Sequence, residues 1–245
     1  MLAHRVIPSL LVRNGALVKG VAFNSWRSIG SPPQAIRTHQ ARGVDEIIVL
    51  DIGATPEGRG PDFEMVARLT EGCFSPITVG GGVRSVEDVR RLLASGADKV
   101  AICTGGPKLI GECAVRFGCQ AIVAALDVKD GHATVRCGTH TTLQPAVGWA
   151  RVCESEGAGE ILLTSIDRDG TLEGYDLDLI KAVSAAVSIP VIANGGAGTY
   201  EHMRQAIEAG ASAVAAGAIF AWTDATPRGA AEYLKAHSIH ARIPA

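Results

Sequence analysis

The sequence predicts a single-domain α/β fold, a (β/α)8 barrel of the TIM type built from two similar half-barrels. Three observations predict it: chain length, apolar runs alternating with helix-period segments, and an internal repeat spanning half the chain. The 245 residues match one such barrel, and no Pro/Ser-rich or charged linker divides 1-245 into two domains. Hydrophobic residues make up 47% and aromatics only 4%, so Val, Ile, Leu and Ala must fill the interior.

Eight strands read as Arg5 to Val12, Glu46 to Ile52, Ile77 to Val79, Lys99 to Ile102, Ala121 to Leu126, Glu160 to Ser165, Val191 to Ala193 and Ala213 to Ala216. Helical segments between them imply βαβ units and a parallel sheet rather than hairpins. The repeat decides for closure. PITVGGGVRSVEDVRRLLASGADKV from Pro76 aligns without a gap with PVIANGGAGTYEHMRQAIEAGASAV from Pro190, with eight of 25 positions identical. The same offset pairs Glu46 with Glu160, and a nearly equal one pairs Arg13-Asn14-Gly15 with Lys129-Asp130-Gly131. An open doubly wound sheet rarely carries a half-repeat over four βα units.

Net charge of -2 supplies no basic field for nucleic acid or anionic lipid, which leaves a small molecule as the expected ligand. The apolar run Val6 to Val12 is too short for a signal-peptide core and nothing approaches membrane-spanning length, so a cytoplasmic location is expected. Six cysteines without a CxxC pair and seven histidines without metal spacing predict reduced thiols, no metal and no cofactor.

Each repeat places a glycine cluster after a strand, Gly80-Gly81-Gly82 and Gly195-Gly196, followed by Ser85 or Thr199 at the start of a helix. Such loops let backbone N–H groups approach an anion, together with the helix start after the next strand. Those starts are Cys103-Thr104-Gly105 and Ala216-Gly217-Ala218. A lone cluster is as readily a tight turn; two in register predict a ligand with a phosphate at each end and its reactive middle over the barrel axis.

Charged residues at C-terminal strand ends are the catalytic candidates. Asp127 ends the run AIVAAL and is positioned as a general acid or base. Asp51 ends IIVLD and either orients Lys19, binds substrate, or caps its loop. Asp169 and Gly170, in SIDRDGT, form an anion nest or a plain turn. Lys19, in the first loop, either neutralises substrate charge or is an ordinary solvated lysine. The repeat exposes one loss: Leu11 in SLLVRNG stands where Asp127 stands in AALDVKDG, so a carboxylate pair is now single. At the opposite barrel end, Arg5, Glu46, Lys99 and Glu160 begin four strands; two cations and two carboxylates read as a stabilising plug or a gate.

Over essentially its whole length the chain resembles the cyclase (HisF-type) subunit of imidazole glycerol phosphate synthase. The resemblance is carried by MLAHRVIPSLLVRNGALVKG, VDEIIVLDI, TVGGGVRSVEDVRRLLASGADKV, GAGEILLTSIDRDGTLEGYDL and IPVIANGGAG. It implies a glutaminase (HisH-type amidotransferase) partner on the N-terminal face. Ammonia from that partner would pass a gate of Arg5, Glu46, Lys99 and Glu160, with Asp98 at the interface. It implies cleavage and cyclisation of a bisphosphorylated ribulosyl-formimino aminoimidazole carboxamide nucleotide, in histidine biosynthesis, by Asp127 and an aspartate at position 11. The family residues Lys19, Asp51, Gly82, Thr104, Asp127, Asp169 and Gly196 are kept, whereas Leu11 replaces the aspartate, Cys103 an asparagine and Gly217 a phosphate-site serine.

Leu11, FNSWRSIGSPPQA and GTLEGYDLDLIKAV also resemble a HisF-like branch that amidates an acetamido sugar nucleotide in surface-polysaccharide biosynthesis. A catalytically silent barrel that regulates a glutaminase is a further alternative. A phosphoribosyl isomerase would share the repeat but leave the charged ring unexplained.

Overall fold

Alternating inward and outward side chains on short aliphatic strands give each strand two faces to bury, and a parallel sheet wrapped in helices buries both. The computed structural model describes residues 3–243; Met1, Leu2, Pro244 and Ala245, the ends of the 1-245 domain, lie outside the described residues. The first half of the chain runs β1 (Arg5–Arg13), β2 (Ala16–Val21), β3 (Asn24–Gly30), α1 (Pro32–Ala41), β4 (Ile47–Asp51), α2 (Phe63–Thr70), β5 (Ile77–Gly80), α3 (Val86–Ala94), β6 (Lys99–Ile102) and α4 (Gly106–Phe117). The second runs β7 (Ile122–Lys129), β8 (His132–Val135), β9 (His140–Pro145), α5 (Ala146–Ser155), β10 (Glu160–Ser165), α6 (Leu177–Ser184), β11 (Val191–Asn194), α7 (Tyr200–Glu208), β12 (Ala213–Ala216), α8 (Ala218–Trp222) and α9 (Pro227–Ala236).

Eight parallel strands close in the order β1-β4-β5-β6-β7-β10-β11-β12, with β12 pairing β1. The expectation of no hairpins fails twice. The antiparallel ribbons β2–β3 and β8–β9 rise from the C-terminal ends of β1 and β7. The tight turns that lead into them, Asn14-Gly15 from β1 to β2 and Asp130-Gly131 from β7 to β8, have all four φ values between 49° and 75°. Asn-Gly and Asp-Gly are the pairs that tolerate two successive left-handed residues, so the signal was present in the two aligned tripeptides. Pairing with β2 and β8 also carries β1 and β7 past Val12 and Leu126, to Arg13 and Lys129.

The barrel ladders of the two halves, and the pairing of β1 with β2 and of β7 with β8, agree in register, whereas the outer ribbons β2–β3 and β8–β9 do not. Leu11 pairs Val18 and Leu50, as Asp127 pairs Thr134 and Thr164; Ile47 pairs Ile77, as Ile161 pairs Val191. Ser85 and Thr199 cap α3 and α7 by accepting from the N–H of Asp88 and His202. Inside the barrel, Ile7, Ile48, Ala101, Val123, Leu162, Ile192, Ala213 and Ala215 form a small apolar cluster separate from the main core beneath the helices. No helix of the described residues is long and apolar enough to cross a membrane.

Candidate active site

Period two along each strand fixes which side chains look inward. On β1 these are Arg5, Ile7, Ser9 and Leu11; Glu46 leads Ile48 and Leu50; Lys99 leads Ala101 and Cys103; Val123 leads Ala125 and Asp127; Glu160 leads Leu162 and Thr164. The charged N-terminal ring, the apolar cluster and the C-terminal mouth therefore share one interior surface.

The mouth encloses a cavity that offers about 220 Å³ to water centres. Lys19, Asp51, Gly81, Gly82, Cys103, Thr104, Asp127, Asp169, Gly170, Gly195, Gly196, Ala216 and Gly217, dispersed over 199 positions of sequence, all line it. The two hairpins overhang it: Phe23 lies against Gly138, and the N–H of Ala22 donates to the carbonyl of Asp169 at 2.8 Å.

Asp127 accepts from the Cys103 thiol at 3.7 Å, and burial pushes its carboxyl up to about 7, assisted by the charge of Asp169 and opposed by the hydrogen bonds from Cys103 and Thr164. Burial drives Lys19 down to about 8, against the attraction of Asp169. Its ammonium donates to the Ser9 carbonyl at 2.9 Å. Asp169 is itself raised by burial and held back by Lys19. A carboxyl and an amine poised on either side of neutrality in one cavity are the elements of proton transfer.

Asp51 falls out of phase with Glu46 and Leu50 and turns toward its own loop. Its oxygens accept from the N–H of Gly53 at 3.0 Å and Ala54 at 3.2 Å and from Arg59 at 2.6 and 3.0 Å. Lys19 lies instead with Ser9 and Asp169. The glycine loops are shaped by close approach: a Cβ on Gly81, at φ 115°, would meet the Asp51 backbone, and one on Gly195, at φ 89°, would stand 2.7 Å from the Ser165 carbonyl. Gly82 and Gly196 are buried, and among the described residues their N–H groups meet no protein acceptor. Thr104 accepts from the N–H of Arg136 at 3.0 Å, tying the second hairpin to the rim.

At the other end, Arg5 donates to Glu46 at 2.6 Å and reaches Glu160 at 2.9 Å, while Lys99 reaches the same two carboxylates at 3.1 and 3.0 Å. Thr78 adds a hydrogen bond to Glu46 at 2.9 Å. The ring is closed, each carboxylate lying between two cations.

The profile of the histidine biosynthesis protein family matches residues 5–226. An imidazole glycerol phosphate synthase subunit HisF from Hyphomonas neptunium (strain ATCC 15444) is 50% identical over 234 residues, 92% of this chain and 93% of that protein. This chain belongs to the HisF family. A second HisF subunit, from Myxococcus xanthus (strain DK1622), is 48% identical over 217 residues, 86% of each chain.

Several residues of this HisF-family mouth escaped sequence reasoning. Ser9, Thr164 and Asn194 were legible from strand parity alone, since they share a face with assigned residues; Asn194 donates to Thr164 at 3.1 Å. Phe23, Trp26 and Cys137 carry no such signal, because the hairpins bring them in, and neither does Arg59, which reaches the site only through Asp51.

Arg5→Ala leaves Glu46 and Glu160 sharing Lys99 and should cost about 3 kcal/mol in urea denaturation, because an uncompensated carboxylate remains buried; a cost below about 1 kcal/mol would show the ring to be stabilised by water instead. Asp127, raised to about 7 when folded, binds more protons in the folded than the unfolded state between its ordinary value of 3.8 and 7. Stability it contributes at low pH is therefore lost as pH rises through that window. Asp127→Asn should be more stable than wild type at pH 8 by about 2 kcal/mol, discounted for cavity water, and equal to it at pH 3; a difference independent of pH would refute the raised carboxyl.

Proposed function

We propose that this cyclase of the imidazole glycerol phosphate synthase type takes ammonia from a glutaminase docked on its N-terminal face and uses it at the mouth on a bisphosphorylated nucleotide. The observation that carries the reading is the shared interior surface running from the Arg5–Glu46–Lys99–Glu160 ring to Asp127. Between them the lining is mostly aliphatic, with Ala101, Ala213 and Ala215 in the cluster and Ala125 packed against it, and Ser9 as a polar exception on β1. An apolar lining passes neutral NH3 and rejects ammonium and hydrated ions, since charge is costly to strip of water. The ring acts as the gate, opening when one cation exchanges its carboxylate partner, and Asp98 lies at the docking face.

At the mouth, the Gly81-Gly82 loop with Thr104, and the Gly195-Gly196 loop with Ala216 and Gly217, hold the two terminal phosphates through backbone N–H groups. Gly170 lets the first hairpin approach the second of these sites. Asp127, half-protonated near neutrality, gives and takes the proton at the reacting centre, and Lys19 neutralises developing negative charge. Cys103 holds Asp127 in place. Asp51, clamped by Arg59, stiffens the β4 loop that forms a wall of the first site. No cofactor or metal enters this scheme, and the reaction belongs with it to the cytoplasm as part of the same proposal.

Turnover of the bisphosphorylated imidazole precursor with saturating ammonium tests it without any partner. Wild type should turn over, and Asp127→Asn should lose at least about 100-fold in kcat, the usual worth of a general acid–base. Leu11→Asp should change kcat rather than KM. Wild-type silence toward this precursor, combined with amidation of an acetamido sugar nucleotide, would transfer the chain to the sugar branch that Leu11 suggests. Silence toward both, with substrate analogue still stimulating a glutaminase, would make the barrel regulatory.

A further inference from the structure

Gly217 follows β12 and corresponds, through the repeat, to Cys103. Its φ of -126° lies on the side of conformational space open to any L residue, so the backbone itself makes no demand for glycine. Space makes the demand. A Cβ on Gly217 would overlap the Lys19 ammonium nitrogen and stand 2.6 Å from the Lys19 Cε and 2.7 Å from the Ser9 carbonyl oxygen. Across the pseudo-two-fold, the equivalent volume holds the Cys103 thiol beside Asp127. One half of the mouth thus pairs a carboxylate with a thiol, whereas the other pairs Leu11 with a borrowed ammonium.

Lys19 has no second berth of equal quality. Besides the mouth it borders a side cavity between the first hairpin, α1 and α8, whose lining includes Arg42 and His39 and no carboxylate. His39 there is buried, and burial together with Arg42 and Lys19 holds it down to about 4, so it is neutral at physiological pH and offers no counter-charge. In its present position the ammonium keeps the Ser9 carbonyl and faces Asp169.

We infer that Gly217 is a positioning residue: the side chain it lacks is the seat of the Lys19 ammonium, which fixes a positive charge at the second phosphate site, on the side of the mouth where β12 meets β1 and Leu11 stands opposite Asp127. A cation there does for a phosphate what a side-chain hydroxyl at position 217 would do with a weaker hydrogen bond. The phosphate role rests on the function proposed above; the seat does not.

The experiment compares wild type, Gly217→Ser, Lys19→Met and the double variant. Acetylation of Lys19 by acetic anhydride across pH, followed by peptide mass spectrometry, reads the seat without activity. Wild-type Lys19 should label with a midpoint near 8 and a low limiting rate at high pH; in Gly217→Ser the limiting rate should rise about tenfold while the midpoint moves up toward that of an ordinary lysine, as expected for an ammonium returned to water. Inorganic phosphate and the bisphosphorylated substrate should bind about tenfold more weakly to Gly217→Ser, the loss expected for one charge-assisted hydrogen bond. In the Lys19→Met background the same substitution should cost nothing further. Unchanged labelling in Gly217→Ser, or a binding penalty that persists undiminished in the Lys19→Met background, overturns the proposal and makes Gly217 a packing residue against Ser9. A labelling shift with no phosphate binding even in wild type upholds the seat and counts against the proposed phosphate site alone. Gly217→Ala, which adds only the Cβ, supplies the same readouts should Gly217→Ser fail to fold.

Discussion

Closure of the sheet through the β7–β10 and β12–β1 ladders gives every strand an inside face, and the two-residue period then dictates which side chains meet there. A residue placed an even number of positions after Arg5, Glu46, Lys99 or Glu160 faces the interior, and one placed an odd number faces the helices. The ring, the apolar cluster and Asp127 are consequences of that one rule. Asp51 is its counter-example: one step out of phase, it leaves the axis and is taken up by Arg59 and its own loop.

The ring is poor evidence of stability for its own sake, because burying four charges costs about as much as their attraction returns. Its geometry does say something about mechanism. Each cation contacts both carboxylates at 2.6 to 3.1 Å, so one contact can be broken while every charge keeps a partner. This geometry is what the proposed gate rests on. Glu46 and Glu160 obey the internal repeat, whereas Arg5 and Lys99 have Ala121 and Ala213 as counterparts, so the half that supplies both cations is the half that lost its carboxylate at the mouth.

The scaffold is symmetric and the chemistry is not. The β1–β2 and β7–β8 pairings, glycine loops and helix caps recur in equal register in both halves. Charge is distributed unevenly over that frame, with Asp127 and Cys103 on one side of the mouth and Leu11, Gly217 and the Lys19 ammonium on the other. Burial then sets the protonation of each, raising Asp127 and lowering Lys19 until both approach neutrality from opposite directions.

By itself the sequence determined the barrel, its two halves, the strand that carries Asp127, the ring and the glycine loops. All of these are periodic or repeated features, and periodicity survives in one dimension. It also held the hairpins, in Asn14-Gly15 and Asp130-Gly131, and the inward parity of Ser9, Thr164 and Asn194, though neither was read from it. Only the tertiary structure decided the partners of the loop residues: Asp51 with Arg59, Thr104 with the backbone of Arg136, Lys19 with Ser9 in the space left by Gly217. Lys19 and Gly217 are 198 positions apart, and no local propensity links them; they meet because barrel closure sets β12 beside β1, and a missing side chain becomes a site only when something else is folded into its place.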